Sequence, residues 1–216
     1  MIGTAFDRVL AAAAAGDERA FALLWRELQP GLLRYLRVIA PAVAEDLASE
    51  TWLDVIRSLP RFQGDEQRFR SWTYTIARHR ASDHRRRAVR RPAEPLPAER
   101  MPERVAADDP AADAMDHIAT YQALALIAKL PPDQAEVIAL RVVAGLEVDE
   151  VARIVGKRPG AVRVLAHRGL RRLAQRLRAG SANPAGNGGN REGNGAEPPG
   201  NGGAPGSQGP RQTPWV

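Results

Sequence analysis

The chain has 216 residues, a net charge of +6 and no cysteine. That length allows one or two small domains, and the lack of cysteine excludes a disulfide framework and thiolate metal sites. The sequence contains no HExxH-type histidine spacing, basic secretory leader or membrane-length apolar run. We therefore expect a cytoplasmic protein that uses no metal or other cofactor and contacts no membrane.

The positive charge is concentrated in two segments. Residues 1–91 hold sixteen Lys/Arg against eleven Asp/Glu, and residues 118–178 hold eleven against five. The residues between them, 92–117, hold two against seven. Two basic modules joined by an acidic connector are typical of a protein that contacts a polyanion at two places.

Helical periodicity runs through almost all of the sequence before the C-terminal tail. Asp17 is placed to cap a helix with apolar residues at three- and four-residue spacing, and Pro30 is placed to open the next helix. A third helix is predicted over about residues 43–59, where Pro60 stops it. A loop follows and leads into a long helix that we expect to end before Pro92.

The loop and the long helix, residues 61–91, combine aromatic and basic side chains. Aromatic faces stack on unpaired bases and arginines neutralise phosphates, so this segment suits DNA whose strands are being opened. The alternative is an ordinary amphipathic helix with core aromatics and a solvated basic end. The aromatic half carries Phe62, Phe69, Trp72 and Tyr74, and the basic half sets Arg78, Arg80, Arg85, Arg86, Arg87, Arg90 and Arg91 against Asp83 alone.

Composition divides the rest of the chain into three parts. Residues 92–117 are rich in proline, alanine and acid, which predicts an extended, flexible linker. A second helical module is predicted over residues 118–179, in which residues 131–133 separate a first helix from one over residues 134–145. Residues 180–216 are rich in glycine, asparagine and proline and are expected to be disordered.

Residues 146–177 have the form of a helix-turn-helix. Gly156 suits the left-handed residue that ends the first helix, and Pro159 is placed where the second begins. The second helix is expected to turn a basic face outward, and a helix of this width fits the major groove of DNA. An ordinary helical hairpin with a solvated basic face is the alternative. The residues expected to face inward are Val162, Leu165, Leu170, Leu173 and Leu177.

Three segments occur in an order that resembles a known family. AEDLASETWLDV precedes RSLPRFQGDEQRFRSWTYTIARHRASDHRRR, and LPPDQAEVIALRVVAGLEVDEVARIVGKRPGAVRVLAHRGLRRL follows the linker. The first two strongly resemble region 2, and the third resembles region 4, of bacterial RNA polymerase sigma factors of the extracytoplasmic-function (ECF) group. The resemblance covers about residues 18–91 and 118–178. It implies an all-α protein of two small helical domains, a region 2 bundle over residues 1–91 and a region 4 helix-turn-helix over residues 118–179.

The resemblance also implies a function, and that function is not enzymatic. An ECF sigma factor binds core RNA polymerase, directs it to specific promoters and assists promoter melting. The implied partners are core RNA polymerase, promoter DNA and an anti-sigma factor, and the free chain is expected to be a monomer. The family often masks its DNA-binding surfaces until polymerase separates the two domains, so the free chain is expected to bind promoter duplex weakly.

Residue roles follow from the resemblance position by position. The clamp helices of the polymerase's large subunit are expected to contact Glu45, Asp46, Leu47, Glu50, Thr51 and Trp52. The opened downstream (−10) promoter element is expected to contact Arg61, Phe62, Gln63, Asp65, Arg70, Trp72, Tyr74, Arg78, Arg80, Arg85 and Arg86. The duplex upstream (−35) element is expected to contact Lys157, Arg158, Arg163, His167, Arg168 and Arg171. No catalytic or metal-binding residue is implied.

The sequence departs from the family pattern at two places. Ser49 stands where the family often has glutamine, which alters the polymerase contact. Many members read VKSRLHRA in the recognition helix where this chain reads VRVLAHRG, and Val164, Leu165 and Ala166 supply no polar base contact. Reading of the −35 element then falls on Arg158, Arg163, His167 and Arg168.

Two rival functions stay open on the sequence alone. A free-standing helix-turn-helix regulator would use its N-terminal helices for dimerisation or sensing. An RNA-binding or nuclease role is less favoured, because no clustered carboxylates with metal-site spacing accompany the arginines. The segment AEDLASETWLDV followed by the aromatic and basic helix favours the sigma factor, since a free regulator needs neither.

Overall fold

A computed structural model describes residues 2–90 and 120–181, and within these two ranges the chain is helical with no strand. The predicted all-α class is confirmed. The predictions of a flexible linker and a disordered tail fall outside the described residues, apart from residues 180 and 181, which end the last helix. The helices are α1 Phe6–Ala14, α2 Glu18–Ile39, α3 Ala44–Ser58, α4 Glu66–Arg90, α5 over residues 120–128, α6 Pro132–Ile138, α7 Val148–Val155 and α8 Pro159–Ser181.

The four helices α1 to α4 form the N-terminal module. Asp17 caps α2 as expected, since its carboxylate accepts a hydrogen bond of 2.9 Å from the backbone N–H of Ala20. Apolar residues of α2 recur every fourth position, so that Leu24, Leu28 and Leu32 are buried along one stripe. This stripe packs against α1, α3 and α4 and makes α2 the central helix of the module.

The expectation that Pro30 opens a new helix is wrong. Pro30 lies inside α2, which continues without a break from Glu18 to Ile39. Its side chain is exposed, and its carbonyl accepts a hydrogen bond of 3.0 Å from the Arg34 side chain. A proline inside a helix removes one hydrogen bond, but the buried stripe runs on both sides of it and keeps the helix continuous.

Helices α5 to α8 form the C-terminal module. The helix expected over residues 134–145 begins earlier, at Pro132, and changes after Ile138 into a π-helical turn, Ala139–Val143. This wider turn is marked by the backbone N–H of Ala144, which donates to the carbonyl of Ala139 at 2.9 Å. Gly145 follows with φ +67°, in the left-handed region that favours glycine.

The predicted helix-turn-helix is present in α7 and α8. Glu147 and Glu150 form a capping box at the start of α7, Gly156 ends it in the left-handed conformation with φ +66°, and Pro159 is the first residue of α8. Together these residues fix the entry, the turn and the exit of the motif.

The inward face of α8 differs from the expected one. Val162 is fully buried, but the side chain of Leu170 is 49% exposed and that of Leu177 is 56% exposed, where both were expected to face inward. Gly169 is buried instead and lies against Ile138 of α6. A glycine carries no apolar side chain for a periodicity count, so the spacing selected its neighbour Leu170.

Candidate polymerase and nucleic-acid interfaces

The α3 residues expected to contact polymerase divide into an exposed and a buried set. Glu45 and Asp46 are exposed and Glu50 is half-buried. The other three are core residues. Leu47 is buried and accepts, through its carbonyl, a hydrogen bond of 2.6 Å from the hydroxyl of Thr51, which is also buried. Trp52 is buried and donates its indole N–H to Gln29 of α2 at 2.6 Å.

Two apolar side chains extend the exposed face of α3. Leu53 and Ile56 are about half exposed, and sequence reasoning did not select either of them. They follow Asp46 and Glu50 at helical spacing, which is the signal that could have found them. We call Glu45, Asp46, Glu50, Leu53 and Ile56 the acidic–apolar face of α3. An exposed apolar patch rimmed by polar or charged residues marks a candidate protein-binding surface.

Arg80 of α4 connects this face to the rest of the module. Its guanidinium pairs with Asp54 and lies 3.7 Å from the carboxylate of Glu50. The hydrogen bond to Asp54 raises the pKa of Arg80 above its ordinary value. In this structure Arg80, expected on the −10 element, joins α4 to α3. Asp46, by contrast, forms no ion pair within the described residues.

The aromatic residues at the start of α4 form a cluster with one buried and two accessible members. Phe69 is 1% exposed, whereas Phe62 and Trp72 are half-buried. The ring centroids of Phe62 and Trp72 are 4.8 Å apart, and that of Phe69 lies 5.4 Å from Phe62 and 5.8 Å from Trp72. Phe69 therefore supports from the core two rings that are partly open to solvent.

Tyr74, expected on the −10 element, is in the core. Its side chain is 1% exposed and its ring meets that of Tyr35 edge-on, at 5.4 Å between centroids. Burial raises the pKa of Tyr74 to about 12, against smaller lowering effects of Arg70 and Arg34. A Cβ at Gly31 would lie 2.7 Å from the Tyr74 hydroxyl, so the absence of a side chain at Gly31 makes room for it.

Other residues expected on the −10 element differ in accessibility. Arg61 and Gln63 are exposed, and neither side chain has a hydrogen-bond partner within the described residues. Asp65 caps α4 through a hydrogen bond of 2.7 Å from the backbone N–H of Arg68, a structural role that the sequence reading missed. Near the end of α4, the exposed Arg85 and Arg86 bond weakly to Ser82 at 3.4 Å and to Asp83 at 3.0 Å.

The C-terminal module packs on α2 and α4, which we call the closed arrangement. Glu136 of α6 accepts hydrogen bonds from the Tyr35 hydroxyl at 3.3 Å and from Arg78 at 2.8 Å. Burial, and next the charge of Glu136, raise the pKa of Tyr35 well above its ordinary value. Arg70 donates to the carbonyl of Ala144 at 2.7 Å. Two arginines expected on the −10 element therefore bind the second module.

A further pair of contacts completes this junction. Gln67 of α4 donates its side-chain amide to Glu150 of α7 at 3.2 Å. The guanidinium of Arg37 lies over the ring of Tyr121 in α5, 4.9 Å from its centroid. The polar contacts of the closed arrangement therefore involve α5, α6 and α7 of the C-terminal module.

The basic face of α8 is open in the closed arrangement. Lys157 is paired with Asp133 at 3.0 Å and is half-buried. Val164, 47% exposed, lies among the basic residues and adds an apolar contact that the sequence reading discounted. The closed arrangement covers part of α4 and leaves this face accessible. The exposed residues, which pair with no acid in the described ranges, are Arg158, Arg163, His167, Arg168 and Arg171.

Neither a metal cluster nor a membrane helix occurs in the described ranges. No group of three or more His, Cys, Asp or Glu residues is arranged to hold a metal ion within residues 2–90 and 120–181. In the same residues no helix is long and apolar enough to cross a membrane.

Two family models match the two modules. Residues 24–91 match sigma-70 region 2, and residues 121–173 match sigma-70 region 4. The chain is 38% identical over 184 residues to the ECF RNA polymerase sigma factor SigD of Mycobacterium tuberculosis, which covers 82% of this chain and 86% of SigD. It is 34% identical over 167 residues to the ECF RNA polymerase sigma factor BldN of Streptomyces coelicolor, which covers 76% of this chain and 63% of BldN.

These matches define the class as a sigma factor with regions 2 and 4, a DNA-binding helix-turn-helix protein of transcription initiation. The chain belongs to the ECF group of the sigma-70 family and functions as an ECF RNA polymerase sigma factor, not as an enzyme. The resemblance drawn from the sequence is thereby confirmed.

Solved structures share the fold. CnrH in complex with the cytosolic domain of CnrY matches with a TM-score of 0.57 at 21% identity, over 81% of this chain and 98% of that one. The sigma factor RpoE from Bartonella quintana, in complex with the anti-sigma factor NepR, matches with a TM-score of 0.54 at 20% identity, over 73% of this chain and 96% of that one.

Proposed function

We propose that the acidic–apolar face of α3 docks on core RNA polymerase. Support comes from the exposure of Leu53 and Ile56 beside Asp46, which gives this face apolar surface for a protein partner within an acidic rim. The buried members of the expected set, Leu47, Thr51 and Trp52, hold α3 in place and act on docking through its position.

The opened −10 strand binds at the start of α4. Phe62 and Trp72 offer partly exposed rings on which an unpaired base can stack. Arg61 and Gln63 are exposed next to Phe62, and their side chains are available to bind the DNA backbone or base edges. Arg70 and Arg78 join this surface once they leave Ala144 and Glu136. The promoter melting step is therefore coupled to opening of the closed arrangement.

The duplex −35 element is read by α8. Arg163, His167 and Arg171 recur every fourth residue, Arg168 lies next to His167, and Arg158 lies in the turn before α8. This row of unpaired basic side chains is the observation that carries the assignment, because arginine binds guanine edges and phosphates in the major groove. Residues 1–91 and 118–179 are the proposed extents of the two functional regions.

An anti-sigma factor is a further proposed partner. CnrH and the RpoE of Bartonella quintana, which share this fold, were solved in complex with CnrY and with the anti-sigma factor NepR. We expect the free chain to be a monomer in the cytoplasm, where the polymerase and the promoters of its family are.

Promoter-dependent run-off transcription with purified core polymerase tests this function. The chain should co-elute with core polymerase and support initiation at its own promoter. Arg163→Ala combined with Arg168→Ala should weaken recognition of that promoter, by about 1–3 kcal/mol for each base pair gripped. Arg26→Ala, an exposed arginine of α2, is the matched control. Specific duplex binding with no effect on polymerase would favour the free-standing regulator.

A further inference from the structure

An open groove of about 450 Å³ lies where the two modules meet, and we call it the junction groove. The end of α3, the following loop and α4 line one side, and α7 lines the other. Its volume is within the range of about 300–1,000 Å³ that small-molecule sites occupy. The lining residues that matter below are Arg61, Phe62, Arg68, Trp72, Glu150 and Arg153.

The groove carries an excess of positive charge. Arg61, Arg68 and Arg153 are exposed, and none of their guanidinium groups has an acid partner within the described residues. Glu150 is the acid among the lining residues. It is 5% exposed, and its Oε2 accepts from Gln67 at 3.2 Å and from a backbone N–H at the start of α7 at 2.8 Å. Three unpaired guanidinium groups around one engaged carboxylate favour an anion, and phosphate matches arginine in geometry.

The groove also offers aromatic surface. The rings of Phe62 and Trp72 are tilted by 33° at a centroid distance of 4.8 Å, and both are partly exposed where they line the groove. Such rings provide a platform for a planar heterocycle. An aromatic surface beside unpaired arginines is the recognition chemistry of a nucleoside phosphate.

We propose that the junction groove of the closed chain binds a free nucleotide, which then holds the two modules together. The base lies against Phe62 and Trp72, and Arg61 and Arg68 together with Arg153 hold the phosphates. The inference rests on the proposed function, since the N-terminal side of the groove is also the surface proposed for the −10 strand. Arg153, on α7, belongs to the groove only while the chain is closed.

A free nucleotide and a nucleotide within a single strand present the same base and phosphate groups to the groove. Opening of the two modules distinguishes between these two ligands. A free nucleotide gains from contacts on both sides of the groove and binds the closed chain better. A longer strand needs α4 uncovered and binds the open chain better. Glu136→Arg places a like charge beside Arg78 and should open the chain. It should therefore weaken binding of the free nucleotide and strengthen binding of the single strand.

The experiment measures two ligands on the full chain at physiological salt. ATP and GTP are titrated by calorimetry, and a fluorescent single-stranded oligonucleotide with the non-template −10 sequence by anisotropy. Arg153→Ala should weaken nucleotide binding about tenfold or more and leave the oligonucleotide affinity unchanged. Arg61→Ala should weaken both, and Arg26→Ala, which lies outside the groove, should weaken neither. Circular dichroism verifies that each variant is folded.

Three results would overturn the inference. The first is no nucleotide binding up to millimolar concentration while the oligonucleotide still binds, which leaves the proposed function standing. The second is equal binding of inorganic tripolyphosphate and ATP, which would show that the rings contribute nothing. The third is an equal loss with Arg26→Ala and Arg153→Ala, which would show non-specific attraction to positive charge. Failure of the oligonucleotide itself to bind the open variant counts against the proposed −10 surface.

Discussion

At the scale of single residues, Tyr74 links burial to a measurable pH dependence. Burial raises its pKa from 10.0 to about 12. Between these values the unfolded chain has lost the phenolic proton and the folded chain keeps it. The unfolded state then binds fewer protons, so stability falls as pH rises through this window. Two pKa units correspond to about 3 kcal/mol.

Tyr74→Phe keeps the ring against Tyr35 and removes this titration. We expect its urea-unfolding free energy to fall less steeply between pH 10 and pH 12 than that of the parent chain. A residual slope remains, because the pKa of Tyr35 is raised in the same direction. Parallel curves for the two chains would show that the Tyr74 hydroxyl ionises in the folded state as it does in water.

Gly169 shows how one departure from the family pattern is fitted to its surroundings. A Cβ at this position would lie 2.6 Å from Cδ1 of Ile138. Alanine is favoured over glycine inside a helix by about 1 kcal/mol, so the clash must exceed that gain for Gly169→Ala to destabilise the chain. Cδ1 is the end of a flexible side chain, but Ile138 is 1% exposed and has little room to move, so we expect the clash to exceed that gain.

The matched change is Ile138→Val, which removes Cδ1 at a cost of about 0.5–1.5 kcal/mol. In that background Gly169→Ala should become neutral or stabilising. Thermal unfolding of the parent, both single variants and the double variant measures the coupling between the two positions. Additive effects would mean that the helices shift apart without strain.

At the scale of helices, the sequence was informative at most positions where a local signal sets the structure, although the helix cap Asp65 was missed. Asp17, Gly156 and Pro159 act through their own backbone geometry, and each lies where the sequence placed it. Pro30 and Gly169 depend on packing from other helices, which no local signal reveals. The candidate site shows the same division between local and tertiary signals. The exposure of the basic face of α8 could be predicted from its sequence, but the partners of Arg70, Arg78 and Arg80 on other elements could not.

The acidic–apolar face of α3 yields a test of polymerase docking. Asp46→Arg reverses a charge that has no partner to lose within the described residues, so folding should be little affected. We expect affinity for core polymerase to fall about tenfold, which corresponds to 1.4 kcal/mol. Co-elution and competition with the parent chain measure the loss.

Asp7→Arg is the control for this experiment. Asp7 is also an exposed acid in the first turn of its helix, so both reversals disturb the helix dipole in the same way. An equal loss of affinity in both variants would indicate a general effect of charge and would contradict docking through α3. Loss confined to Asp46→Arg supports it.

At the scale of the whole molecule, the closed arrangement changes the expectation for the free chain. Masking was expected to weaken duplex binding, but it covers part of α4 and leaves the basic face of α8 exposed. Glu136→Arg should open the chain, raise its affinity for the single-stranded −10 oligonucleotide about tenfold or more, and leave duplex −35 binding almost unchanged.

Salt dependence supplies the second readout of the same experiment. If about four arginines of α8 touch phosphate, the logarithm of duplex affinity should fall against the logarithm of salt with a slope of about −4 in both chains. Asp149→Arg, a reversal at an exposed acid on α7, controls for the added charge. A steeper slope in the opened chain only would mean that the closed arrangement covers α8 as well.

Arg80 gives the molecule a mechanical property. Arg80 pairs with Asp54 and lies near Glu50, and so connects α3, the helix proposed to bind polymerase, to α4, the helix proposed to bind DNA. A displacement of one of these helices is then transmitted to the other through this ion pair. If polymerase binding raises the affinity of the chain for the promoter strand, then binding of the strand must raise its affinity for polymerase by the same factor. Once the promoter strands have re-annealed, this gain in affinity is lost, and a sigma factor coupled in this way would dissociate from polymerase more readily.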